Sequence, residues 1–171
     1  IGLHFINDPR DLPFVTLIVT SSLVMFPMAI ALYIPGVFQW WMAPIYLGIN
    51  AFVFLDKFIL MLHNTSHRPL FKTEYRLLNY YIPWVLSPFF GESPETYFAH
   101  HVGMHHPENN LPEDLSSTMR FQRDNAFHFF IYFFRFIFGV QLELAIYLWK
   151  KNRGKLLRKM LIGEFGFLTF I

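Results

Sequence analysis

The sequence contains no cysteine and little charge. Without cysteine it offers no disulfide, no thiolate zinc site and no iron–sulfur cluster, so a redox role needs other ligands. Charged residues make up 15% of the chain, against about 25% in a typical soluble domain. The net charge of +2 provides no broad basic surface. We therefore expect no nucleic-acid partner, and histidine remains as the candidate metal ligand.

Hydrophobic residues are abundant instead, at 54% of the chain, with 22 phenylalanines. A helix needs about 20 apolar residues to cross a hydrocarbon core of roughly 30 Å. The runs at about 13–34 and 37–62 satisfy this requirement, and Pro35-Gly36 between them predicts a turn. A third run covers about 126–149, and a further apolar helix starts in 160–171. These runs predict an all-α integral membrane protein that contains a transmembrane helical hairpin.

The region 63–124 between the second and third runs is mixed in polarity and rich in proline. Its aromatic part, Tyr80 to Phe90, is too short to span a bilayer, so we expect interfacial helices there. The chain opens at Ile1 rather than methionine and stops at Ile171 inside an apolar run. Residues 1–171 are therefore interpreted as a single, partial membrane domain of a longer protein.

The topology of the third run conflicts with the distribution of positive charge. Three full crossings would place the basic stretch after Trp149 on the side opposite the histidines, against the positive-inside rule. Arg135 lies near the middle of this run, where an unpaired arginine costs at least about 2.5 kcal/mol on insertion scales. We therefore favour a third run that is only partly immersed.

Six of the eight histidines fall into two clusters, His63-Asn64-Thr65-Ser66-His67 and His100-His101-Val102-Gly103-Met104-His105-His106. On a helix, His63 shares a face with His67, while His106 is turned by about 100° from His105, toward a second metal. Imidazole binds iron, zinc and copper alike, so the ligand type alone does not identify the metal. Asn64 occupies the position where a zinc protease needs glutamate. Haem would leave four clustered histidines without a role, whereas two irons use them more fully.

The motif HNTSH resembles the first histidine box, and HVGMHH the second, of membrane fatty acid desaturases and related hydroxylases. The order and spacing match, and the first box follows a two-helix hairpin as in that family; the resemblance covers roughly Pro13 to Trp149. The family's third histidine box supplies further ligands and does not appear in this sequence, so this segment alone is expected to be inactive. By resemblance, the ligands of a di-iron centre are His63, His67, His101, His105 and His106.

Two further residues are candidates for an additional ligand or for a hydrogen-bond partner of a ligand histidine. His100 is an extra histidine beside the second box. Asp56 precedes His63 by seven residues and lies on nearly the same helical face. The competing interpretation pairs it with Lys57 or with an interfacial arginine. The remaining acidic residues of this region are expected to be solvated loop charges: Glu92, Glu95, Glu108, Glu113 and Asp114.

The resemblance implies an O2-dependent desaturase of fatty acyl chains that uses two non-haem irons. The chain has no G-x-G-x-x-G motif and no P-loop, so electrons must come from elsewhere, in this family usually from cytochrome b5 or ferredoxin. A hydroxylase or ketolase of the same superfamily is one alternative. An inactive, desaturase-like structural subunit of a larger membrane complex is another. The membrane itself, whether of endoplasmic reticulum, plastid or bacterium, is not identified.

Overall fold

The computed structural model describes residues 2–170, and within that range the chain forms helices and no β-strand. The predicted all-α class is therefore confirmed. Three helices are long and apolar enough to cross a membrane, namely Pro9–Tyr33, Met42–His67 and Ala126–Lys150. The chain divides into two compact units, one up to Pro94 and one from Glu95 to Thr169. Each unit is described separately.

The first unit begins with helix α1, Leu12–Tyr33. A short turn, Pro9–Asp11, precedes it, and the Asp8 side chain caps that turn by accepting the Arg10 N–H. The serine and threonine side chains of α1 do not disturb the helix, because each donates to a backbone carbonyl one turn earlier, as Ser21 Oγ does to Leu17 O at 2.6 Å. The helix ends before Pro35-Gly36, where Gly36 adopts a φ of 83°.

Helix α2, Met42–His67, packs against α1 and contains a π-helical turn at Asn50–Phe54. The sequence predicted a helix at about 37–62. The helix begins later because residues 36–41 turn, and it continues through the first histidine box. Polar side chains are compatible with this extension, since Thr65 Oγ1 donates to Met61 O at 2.9 Å. Arg68 then takes an extended conformation, as expected before a proline.

The remainder of the first unit consists of short helical turns, Thr73–Tyr80, Ile82–Leu86 and Ser87–Phe90. None is long enough to cross a bilayer. Phe90 stacks on Phe58 of α2 with ring centroids 4.1 Å apart. Asn50 Nδ2 donates to the Phe89 carbonyl at 2.7 Å. This segment is therefore packed against α2.

The second unit contains three helices. Helix α3 covers residues 96–108 and carries the second histidine box, α4 is Ala126–Lys150, and α5 is Gly154–Phe170. The fourth apolar run was predicted from residue 160, but α5 begins at Gly154, directly after the turn at Asn152. One buried cluster joins the three helices and consists of Ala99, Met104, Leu144, Tyr147, Leu148 and Met160.

Removing a side chain from this cluster should destabilise the second unit. Leu148 is fully buried, whereas Leu142 on the same helix is 68% exposed. Leu148→Ala leaves a cavity, and we expect a loss of about 2–5 kcal/mol in the free energy of unfolding. Denaturation of the purified protein in detergent measures this loss, with Leu142→Ala as the matched control. Equal losses in the two variants would contradict the described packing.

Candidate metal centre

The first histidine box occupies the last turn of α2. His63 and His67 lie one turn apart, with ring centroids 5.0 Å from each other. Met61 and Leu62 beside them are buried, whereas His63 is half-buried and His67 is exposed. The two imidazoles therefore form a neighbouring pair at the end of a mostly apolar helix, as the i, i+4 spacing predicted.

The second box lies on a π-helical turn, His101–His105. The His106 N–H donates to the His101 carbonyl five residues earlier, so His106 returns above His101. Their ring centroids are 4.5 Å apart, and their Nε2 atoms are 3.1 Å apart. The expectation that His106 is turned away by about 100° is therefore wrong, because it assumed an α-helix. Its binding to a second metal stays a prediction.

This separation suits two ligands of one metal ion. Imidazole nitrogens bind metals such as zinc at about 2.0–2.1 Å, so two of them at right angles on one ion lie about 3 Å apart. The Nε2 atoms of His101 and His106 meet this condition at 3.1 Å. The ring of His105 is 5.8 Å from each of the other two rings. The donor set of the second box thus fits a transition metal.

His105 is oriented by a buried carboxylate that the sequence analysis missed. Asp114 is fully buried, and its Oδ2 lies 2.7 Å from His105 Nδ1. The Ser116 hydroxyl is 3.0 Å from the same nitrogen. A carboxylate on Nδ1 keeps the proton there and leaves Nε2 free to bind metal. The expectation that Asp114 is a solvated loop charge is therefore wrong.

Asp114 remains ionised despite its position. Burial alone would raise its pKa, but this effect is outweighed by donors from the Ser116 hydroxyl, the backbone N–H groups of Asn110 and Ser116, and His105, which hold the pKa below its ordinary value. The turn that carries Asp114 thus supplies most of its partners. The sequence signal was the spacing Asp-x-Ser, which is typical of a carboxylate that caps its own turn.

Glu108, at the end of α3, is also buried rather than solvated. The Tyr147 hydroxyl donates to Glu108 Oε1 at 2.5 Å, and Lys151 Nζ lies 3.2 Å from the same oxygen. Both contacts lower the pKa of Glu108, the tyrosine more strongly. By contrast, Glu113 is exposed as expected, although it also pairs with Lys151. These contacts attach the end of the second box to α4.

A proline creates a further attachment point. Pro107 has no N–H to offer to the Gly103 carbonyl four residues earlier, and the Arg153 guanidinium donates to that carbonyl instead. Gly103 allows a close approach of α5, because a Cβ at this position would come within 2.8 Å of Leu156 Cδ1 and that side chain would have to shift. The start of α5 therefore contacts the second histidine box directly.

The two additional candidates differ in what surrounds them. His100 Nε2 is buried and has no hydrogen-bond partner among the residues that the structure describes. Burial, assisted by His105, lowers the pKa of His100 to about 4, so its ring is neutral at pH 7 and keeps a free lone pair. Asp56 is exposed in the second half of α2. Its pairing with His63 stays a prediction.

The family model for fatty acid desaturases matches residues 14–164, a range that contains both histidine boxes. The chain belongs to the fatty acid desaturase family. No curated protein and no solved structure matches it. The family in general binds iron through histidines and acts on lipids with the help of electron donors, and the apolar helices are consistent with a membrane protein. A desaturase-like function is thereby supported.

Neutralising the buried carboxylate should weaken metal binding. In Asp114→Asn, His105 loses its charged partner, and we expect metal affinity to fall by about 10–100-fold, as is usual for such partners of ligand histidines. Iron retained per protein after dialysis against graded chelator measures the effect.

Glu113→Gln is the matched control, since it removes the neighbouring carboxylate, whose side chain is 61% exposed. The control should retain iron like the unaltered protein. If both variants retain iron equally well, Asp114 does not orient a ligand.

Proposed function

We propose that the protein is an O2-dependent fatty acyl desaturase. The observation that carries the proposal is the geometry of the second box, in which the Nε2 atoms of His101 and His106 lie 3.1 Å apart and His105 is held by a buried carboxylate. Family membership supports the same chemistry. The proposed ligands of two non-haem irons are His63, His67, His101, His105 and His106.

The residues of the chain orient and retain these ligands. Asp114 holds the proton on His105 Nδ1, so that Nε2 is the nitrogen directed to metal. Glu108 and the Gly103 carbonyl tie the box to Tyr147 and Arg153. The irons, when bound, supply the oxygen chemistry that no amino-acid side chain provides. His100 contributes a neutral, unpartnered Nε2 as an additional ligand, and Asp56 is proposed as a partner of His63.

The substrate is proposed to be the acyl chain of a membrane lipid, with cytochrome b5 or ferredoxin as the electron donor. A lipid substrate agrees with the family and with helices that are long and apolar enough to enter a bilayer. Residues 1–171 contain no cysteine for an iron–sulfur cluster and no dinucleotide-binding motif, so the electrons would come from a separate protein or from a domain outside this segment.

The natural protein, purified from membranes, should contain about two irons and convert an acyl lipid to a product lighter by two hydrogens. Metal analysis and mass spectrometry of the lipid products measure both quantities. A product heavier by one oxygen would replace desaturation by hydroxylation at the same centre. A protein without iron that copurifies stoichiometrically with partner subunits would overturn the enzymatic proposal.

Variants that replace one histidine at a time distinguish the metal ligands from histidines that do not bind metal. His105→Ala should abolish product formation and lower the iron content. His4 serves as the control, because it is exposed, lies outside both boxes and bonds to the Tyr75 hydroxyl at 3.0 Å. His4→Ala should keep both the iron content and the activity. Retention of full activity by His105→Ala would exclude it as a ligand.

A further inference from the structure

The segment between α3 and α4, here called the connector (residues 109–125), has no regular secondary structure over most of its length. It is attached to α4 in three places. Glu113 pairs with Lys151 just after the end of α4 at 2.5 Å. The Leu115 carbonyl accepts from Arg135 near the middle at 3.4 Å. Phe121 packs against Tyr132 near the beginning, with ring centroids 5.6 Å apart.

The order of these attachments shows that the connector runs alongside α4 in the opposite direction, from its end to its beginning. With 25 residues, α4 is about 37 Å long, enough to cross a bilayer. If it crossed, the connector would have to cross beside it. Irregular backbone in contact with lipid leaves polar groups unsatisfied and does not occur within the hydrocarbon region. The charged residues of the connector would also enter: Glu113, Asp114, Arg120, Arg123 and Asp124.

The face of α4 next to the connector is polar. Arg135 and Glu143 form a two-point ion pair on this face, with the shorter contact at 2.7 Å. A cavity of about 530 Å³ opens beside them, and it is lined in part by Arg120, Lys150 and Lys151. Charged side chains around an open cavity are more stable in contact with water than in contact with hydrocarbon.

A neighbouring face of α4, turned by about 100° from the polar one, is apolar and uncovered within the second unit. Its side chains recur at intervals of three, four or seven residues and so form one stripe. They are between 42% and 78% exposed. The stripe consists of Phe127, Ile131, Phe134, Phe138, Leu142 and Trp149. Further exposed apolar side chains lie beyond this face: Phe129, Phe130, Phe133 and Ile137.

We infer that α4 lies in the plane of the membrane interface, on the side of the second histidine box, and does not cross the bilayer. Its stripe enters the acyl region of one leaflet, and the face that carries Arg135 and Glu143 points to water. The occupant of the apolar face is therefore lipid. An amphipathic helix with one charged face and one aromatic, aliphatic face is typical of this position.

This placement also removes the topological conflict of the sequence analysis. Both ends of α4 then lie on one side of the membrane, together with α3 and the second box, because Lys151 pairs with Glu108 of α3 and Arg153 donates to the Gly103 carbonyl of the box. The basic residues after Trp149 consequently face the same compartment as the histidines and lie near lipid headgroups.

Adjacent single cysteines at positions 138 and 139 test the orientation, because this sequence contributes no background cysteine. Phe138 belongs to the stripe and is 78% exposed. Gly139 is on the polar face, where a Cβ would make only ordinary contacts, at 3.9 Å with Glu143 and 4.0 Å with Arg135. In open membrane sheets, where the reagent reaches both sides, we expect a membrane-impermeant maleimide to label Gly139→Cys at least ten times faster than Phe138→Cys.

Labelling in denaturing detergent confirms that both variants are present. If neither cysteine reacts before denaturation, α4 is buried in the bilayer and the inference fails. If both react equally fast, the stripe is not in lipid. Oxidative cross-linking of Phe138→Cys into dimers would show that a second copy covers the stripe, and it would also overturn the inference.

The two ends of α4 provide an independent measurement. Asp124→Cys and Lys150→Cys replace exposed residues at its beginning and its end. An interfacial helix predicts that the impermeant maleimide reaches both cysteines from the same side of vesicles of known orientation. A crossing helix predicts opposite sides, and that result would refute the proposal whatever the outcome at positions 138 and 139.

Discussion

A buried carboxylate must find several donors, and the way Asp114 meets this requirement organises the second unit. Its oxygens accept from Ser116 and Asn110 in its own turn and from His105 of the histidine box. The next residue, Leu115, offers its carbonyl to Arg135 of α4. The turn of Asp114 therefore links the box, the connector and α4, the first two through its charge and the third through the Leu115 carbonyl. Because the carboxylate stays ionised, the link is electrostatic as well as geometric.

The helices were largely predictable from the sequence. Long apolar runs interrupted by Pro35-Gly36 predicted the hairpin. The two histidines of the first box, His63 and His67, were correctly predicted to lie one turn apart on a helix. The boundaries were less accurate at both ends of α2. Polar side chains such as Thr65, which suggested the end of an apolar helix, are compatible with helix when their hydroxyls bond to carbonyls one turn back.

The second box was predicted only in part, because its residues were identified but their relative orientation was not. A constant rotation of about 100° per residue separates His106 from His101, whereas the π-helical turn brings them together. The residue types in the motif do not predict that π-helical turn. The role of Asp114 was missed for a different reason, since charge in a loop suggests solvent and burial depends on tertiary contacts. Family membership identifies the histidines but does not supply this geometry.

The π-helical turn also affects how relatives of this protein should be aligned. Such a turn is equivalent to an α-helix that has accommodated one extra residue. A relative with the same histidines but one residue fewer between the first and the last of them would regain the α-helical register. Its first and last imidazoles would then be four residues apart on one face of an α-helix, as His63 and His67 are, and would stay neighbours. In this region, an alignment gap of a single residue therefore does not by itself mean that the pair of ligands has been lost.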